Sequence, residues 1–149
     1  MARKLTALGI ALLFSLIPRA VLGVVFGQTQ DIVAELWPGA YPFLIEGAFV
    51  FAVAAAYAAA FVAGFGFWAG TSETWRASAL WAAAGSAGLQ AATAPGALAA
   101  DGALKAGLVA AACVAGAYHG AWWGEDNKDD PRVEGVQGFV FGLNPFRLS

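Results

Sequence analysis

Charge is scarce in this sequence: only 12% of its 149 residues are Asp, Glu, Lys or Arg, about half the share of a soluble domain. There is one cysteine, Cys113, and one histidine, His119. A lone cysteine excludes an intrachain disulfide, a CxxC redox pair and a cysteine-built zinc site, and with a single histidine elsewhere it supplies no nucleophile–base pair. Lys and Arg form no block and the net charge is −2, so nucleic acid is not expected as a partner, because binding phosphates needs clustered bases. GxSxG, HExxH, Walker and Rossmann patterns are all missing. A non-catalytic protein is therefore expected.

Apolar residues are abundant, at 60% of the chain with a mean hydropathy of +0.66. Four apolar stretches of spanning length, about residues 5–27, 43–70, 74–94 and 104–123, use up most of the length. A lipid-spanning helix needs roughly 20 apolar residues. The expected fold is an all-α membrane protein, a four-transmembrane-helix bundle over residues 1–124 with a tail over 125–149. "MARKLTALGIALLFSLIPRA" also opens as a secretory signal does, but the apolar run continues to Gly27 with no AxA-like site, so a retained helix with a kink at Pro18 is expected. Ser72 is the expected cap of the third span, while Pro95 and Gly96 end it.

Lys and Arg set the orientation. Arg3 and Lys4 precede the first span, Arg76 lies between the second and third, and Lys128, Arg132 and Arg147 follow the fourth, whereas the other two loops hold only Lys105. Both termini are expected to be cytoplasmic, in a multi-pass protein of the cell (inner) membrane, with the loops around Trp37 and Asp101 outside.

Close approach of small residues carries helix association in lipid. The second span offers a row at i+4 spacing, Ala48, Ala52, Ala56, Ala60 and Gly64, beside a row of larger groups, Phe49, Val53, Tyr57, Phe61 and Phe65. The fourth span repeats the small row with Ala112, Gly116, Gly120 and Gly124.

Charges inside such a bundle need partners. Arg19 sits about 12 Å below Gly27 on a straight helix, and Glu46, near the same end of the second span, is its expected partner in an intramembrane ion pair. Ser86, Gln90 and Thr93 share one face of the third span. Their ordinary use is hydrogen bonding between helices; the alternative is a polar path through Arg19, Glu46 and Gln90 in a small homo-oligomeric transporter or channel.

The stretch "AGAYHGAWWG" raises a third possibility. An imidazole at His119 can ligate haem iron or the magnesium of a chlorophyll-type pigment. Ala115, His119, Trp122 and Trp123 resemble the Ala-x-x-x-His plus Trp pattern of bacterial light-harvesting polypeptides, which implies His119 as a magnesium ligand; those polypeptides use one short span each, unlike this chain. A bis-imidazole haem would need its second ligand from another chain. Against both, His119 is expected within a turn of the cytoplasmic helix end, in an aromatic belt with Tyr118 and the two tryptophans, and no cofactor is required by the sequence.

In the tail, "EDNKDDPRVEG" lacks the spacing of a calcium loop and reads as a solvated acidic linker. Phe139, Phe141, Leu143 and Phe146 then form an apolar strip that should be covered, either by the bundle and membrane surface or by a partner subunit. The overall expectation is an accessory or structural subunit of a membrane complex, with the lipid bilayer and other membrane subunits, or copies of itself, as partners.

Overall fold

The computed structural model describes residues 1–93 and 103–143, and every α or β element among them is a helix. The expected turn over 97–102, the stop at Pro95 and Gly96, and Phe146 lie outside the described residues, as do the side chains of Thr93 and Phe141. Helix α1 runs Ala2–Leu36, a 3-10 turn covers Pro38–Ala40, α2 is Tyr41–Glu46, α3 is Ala48–Gly70, α4 is Trp75–Thr93, α5 is Ala103–Asp126 and α6 is Pro131–Leu143. Two of them, α1 and α3, are long and apolar enough to cross a membrane. The other two expected spans are helical, as α4 and α5.

Three expected boundaries are corrected. The first helix does not end at Gly27 but continues to Leu36, 35 residues in all, passing through Pro18. Nothing between Gln28 and Leu36 breaks a helix, and the Thr29 hydroxyl folds back to donate to the Val25 carbonyl at 2.7 Å. Termination comes where Pro38 bars its predecessor from helical angles, leaving Trp37 at φ −141° and ψ 67°. The second span is divided at Gly47, whose N–H closes on the Phe43 carbonyl at 2.9 Å while its own carbonyl starts α3 by accepting from Val50 at 3.0 Å. The third helix is capped by Thr74 instead of Ser72: the Thr74 hydroxyl accepts the Ala77 N–H at 3.3 Å, the bond an N-cap makes to position N3.

The tail is a helix where a solvated linker and an apolar strip of unstated conformation were expected. Asp130 caps α6 by accepting the Arg132 N–H at 2.8 Å, and Pro131 occupies the first turn, where its missing N–H costs nothing. Val133 and Val140 of α6 are buried in one cluster with Trp68, Ala69, Ala79 and Ala121. Val140 reaches the backbone of Gly70. The tail thus lies back on the bundle.

Helix α3 is the hub, contacting α1, α4, α5 and α6. Its tightest neighbour is α5, and the two small-residue rows meet there. A Cβ placed on Gly116, Gly120 or Gly64 would overlap the carbonyl oxygen of Tyr57, Phe61 or Ala117 respectively. Ala56, Ala60, Ala63, Ala112 and Ala117 fill the same interface. The interior is consequently small-grained; among fully buried residues only Phe67 is large, and its ring stacks on Trp81 of α4 at 6.0 Å between centroids.

Backbone contact of this kind leaves no flexible atom to move aside. Gly116→Ala or Gly120→Ala should therefore destabilise the bundle by about 2 kcal/mol or more, read as a lowered unfolding midpoint in detergent. Gly88→Ala and Gly107→Ala, whose added methyl meets nothing within 4 Å, should leave that midpoint unchanged or slightly raised, since alanine is the better helix former.

Candidate functional site

Two polar centres interrupt the apolar body. The first is built on Arg19, the middle residue of α1. Its Nη1 donates to Oε1 of Gln90 on α4 at 2.5 Å. Gln90 and Ser86, one helical turn apart on α4, are buried at 5% and 2% exposure. Two helices thus meet at one cation.

Glu46 takes no part. The expected Arg19–Glu46 ion pair is not formed: Glu46, the last residue of α2, lies on the exposed surface. It lines a surface hollow with Lys105, Phe49 and Val109. The polar path suggested through Arg19, Glu46 and Gln90 therefore has two of its three residues together. Instead of a carboxylate, the guanidinium has one neutral acceptor: its Nε and Nη2 are buried and have no hydrogen-bond partner, as is Ser86 Oγ. Beside Arg19, between α1 and α3, is a cavity of about 230 Å³ walled by Leu22, Gly23, Phe26, Phe51 and Ala52.

The second centre is His119 on α5, which lies about two turns before the helix end at Asp126 instead of the expected one. Its Nδ1 meets the Tyr57 hydroxyl of α3, and Phe61 packs edge-on to the imidazole, with centroids 5.1 Å apart at 85°. Trp122 lies 6.0 Å away on the other side. Gly116 and Gly120 allow this meeting: by bringing the α3 backbone against α5, they place the Tyr57 phenol beside the imidazole. His119 faces outward, and among the described residues its one hydrogen bond is at Nδ1. Next to the pair a hollow of about 530 Å³ is lined by Val53, Ala54, Leu108, Ala111 and Ala115.

The end of α5 is pinned separately. Glu125 accepts from Trp68 Nε1 at 3.1 Å and pairs with Lys128 at 3.0 Å. On the same side of the molecule Lys4, at the start of α1, pairs with Glu73 at 2.7 Å in the turn before α4. Of the tail residues, Phe139 and Leu143 stay exposed at 61% and 43%, and Phe139 borders an apolar cavity of about 310 Å³ with Phe14, Ile17, Pro18 and Phe65.

No three metal-ligating side chains cluster among the described residues. Arg19, Gln90 and His119 are legible in the sequence, whereas Tyr57 stands there only as part of a large-residue row. The pairing signal for Tyr57 is present in the glycines at 116 and 120, which imply a close helix at that height. Comparison with known protein families, curated proteins and solved structures finds no match to this chain.

The hydrogen bond from Lys128, and after it the one from Trp68, hold the Glu125 carboxyl below its ordinary pKa. Its stabilising effect is present above the usual carboxylate value, about 4.3, and fades as pH falls through the lowered one. Glu125→Gln should accordingly lower the unfolding midpoint at pH 7, and the gap from the unsubstituted protein should close on acidification below pH about 4 in a midpoint-against-pH series.

Proposed function

We propose that this chain is a multi-pass α-helical protein of the cell membrane, with both termini cytoplasmic, that works without catalysis as an accessory or structural subunit of a membrane assembly. The observation that carries this reading is the outward-facing Tyr57–His119 pair. Glu125, bonded to the Trp68 indole, marks the level at which charge begins. At ~1.5 Å per residue, stepping back from it to His119 descends about 9 Å into the apolar zone. The imidazole then points further in, towards Tyr57, because helical side chains lean to the N-terminus.

Polar side chains at such depth face a bundle interior or a water-filled cavity. A His–Tyr pair on the outer wall is satisfied in the same way once another subunit, or another copy of this chain, covers it. The surrounding surface suits lipid or protein equally: Leu13, Ile17, Val21 and Val24 of α1 are 55–67% exposed and wholly apolar. The overlap of α3 and α5 makes the platform rigid, which lowers the ordering cost of binding.

A Tyr57→Phe, His119→Leu double variant keeps the side-chain volumes approximately and removes both polar groups. It should retain helix content and unfolding midpoint, while native electrophoresis of gently solubilised membranes shows the assembly reduced to the chain alone. An assembly of unchanged size would refute the reading.

A second reading, haem or chlorophyll-type pigment at His119, is favoured by one detail. Imidazoles that ligate metals have their other nitrogen held by a hydrogen bond, and Tyr57 sits on Nδ1 while Nε2 is left over. The adjoining alanine-walled hollow offers a flat bed. Under this reading, protein taken gently from its native membrane absorbs in the Soret or far-red region and His119→Ala abolishes the band; a featureless visible spectrum would sink it and leave the subunit reading standing.

A further inference from the structure

We infer that the hollow beneath α6 is a groove for an acyl chain of a membrane phospholipid, with α6 lying in the headgroup layer above it. The inference rests on the membrane location proposed above and not on the subunit role. It starts from the course of α6. Charge on this helix is confined to Arg132 and Glu134 at its start, and none follows from Gly135 to Leu143. Val133 packs with Trp68, Ala69, Ala79 and Ala121, and Val140 meets Gly70 close to Ala7. Each of these partners stands within about a turn and a half of an end of its own helix. The Lys4–Glu73 and Glu125–Lys128 ion pairs mark the same end of the bundle. So α6 crosses the charged end instead of running down the flank, and a largely apolar helix placed there lies in the plane of the headgroup–acyl boundary.

A second side of α6 is left over. Val136, Phe139 and Leu143, at i, i+3 and i+7, stand about a quarter turn from the buried Val133 and Val140 and are exposed. Val136 and Phe139 border the hollow of about 310 Å³ whose other walls include Phe14 and Ile17 of α1 and Val62 and Phe65 of α3. Leu143 borders an adjoining one along Ile10 and Leu13. The walls descend from the charged end: Ile17 is about 20 Å along α1 from Lys4, and Val62 about 12 Å along α3 from Gly70. That depth matches one leaflet, half of a hydrocarbon core about 30 Å thick.

The walls specify the occupant. Among their described residues none carries a polar side chain, so water would find no partner there. A helix of another subunit docks in lipid through small residues that let backbones approach, whereas large side chains, Phe14, Ile17, Phe65 and Phe139, form this wall. Gly66 offers no such approach, because the Ala11 methyl already stands 3.3 Å from the place of its missing Cβ. A flexible hydrocarbon chain one leaflet long conforms to the space that remains. The exposed apolar side of α1, through Leu13, Ile17 and Val21, carries the same surface on into the bilayer.

The test uses the full chain in phosphatidylcholine liposomes, with photoreactive p-benzoylphenylalanine in place of Phe139 or, in a separate sample, of Leu13 on α1. Illuminated products are read by intact mass. The probe at 139 should gain the mass of a phosphatidylcholine. Val62→Trp fills the hollow from α3 and Val136→Trp fills it from α6. Each should cut the lipid adduct at 139 several-fold while the unfolding midpoint and the adduct at 13 stay as they were. The groove is overturned if the probe at 139 joins two copies of the chain, or takes up no lipid while the probe at 13 does. Undiminished labelling at 139 in either tryptophan variant, shown to be folded, overturns it as well. All three outcomes leave the membrane location standing. Absence of lipid from the probe at 13 overturns that location, and the groove with it. The assembly measured with the Tyr57 and His119 variants is read independently of these adducts.

Discussion

Direct contact between the backbones of α3 and α5 is the constraint on which the rest of this structure depends. Glycines at 64, 116 and 120 bring one helix's Cα atoms against the other's carbonyl oxygens. At that separation there is no room for large side chains between the pair, so the core is lined with alanine and the bulky groups are expelled to its flanks. The aromatic series Tyr57, Phe61 and Phe65 is displaced to the edge of the contact, where it meets His119 and Trp123. Packing and polar chemistry are therefore one arrangement: the hydroxyl reaches the imidazole because nothing wider than hydrogen separates the helices beside them.

The two polar centres differ in what they ask of their surroundings. Tyr57 and His119 are neutral partners that satisfy each other and face outward, so their remaining capacity is directed at a neighbour. Arg19 faces inward, carries a permanent charge and is anchored by one amide. Burial raises the cost of an unmatched donor, so the inward group, with Nε and Nη2 unpartnered among the described residues, is the more costly of the two to leave as it stands.

Much of the architecture was legible in the sequence because helices in an apolar chain announce themselves by length and by small-residue spacing. The row ending at Gly64 and the row through Gly116 and Gly120 were both visible, and they proved to face each other. What was not legible depended on tertiary choice. The Arg19 partner was sought as a carboxylate by charge alone, yet Glu46 faces a surface hollow beside Lys105 and the amide of Gln90, already noted on the polar face of the third span, takes its place. The extension of α1 to Leu36 was missed because a fall in hydropathy after Gly27 was read as an end of helix, when only Trp37–Pro38 carries a backbone reason to stop. The α6 helix was obscured by alternating glycine and apolar residues, whose helical face, Val133 with Val140, emerges only when α3 and α4 are there to receive it.

That helix ties distant parts of the chain together. Val140 closes over Gly70 at the end of α3, close to Ala7 near the start of α1, so a segment far along the chain completes a seam between those two helices. Whenever α6 lifts away, the seam opens and the apolar side chains around Trp68 and Ala69 are bare. The glycine-clasped pair of α3 and α5 does not need that contact, so α6 is an element that opens locally at less cost than the body it covers.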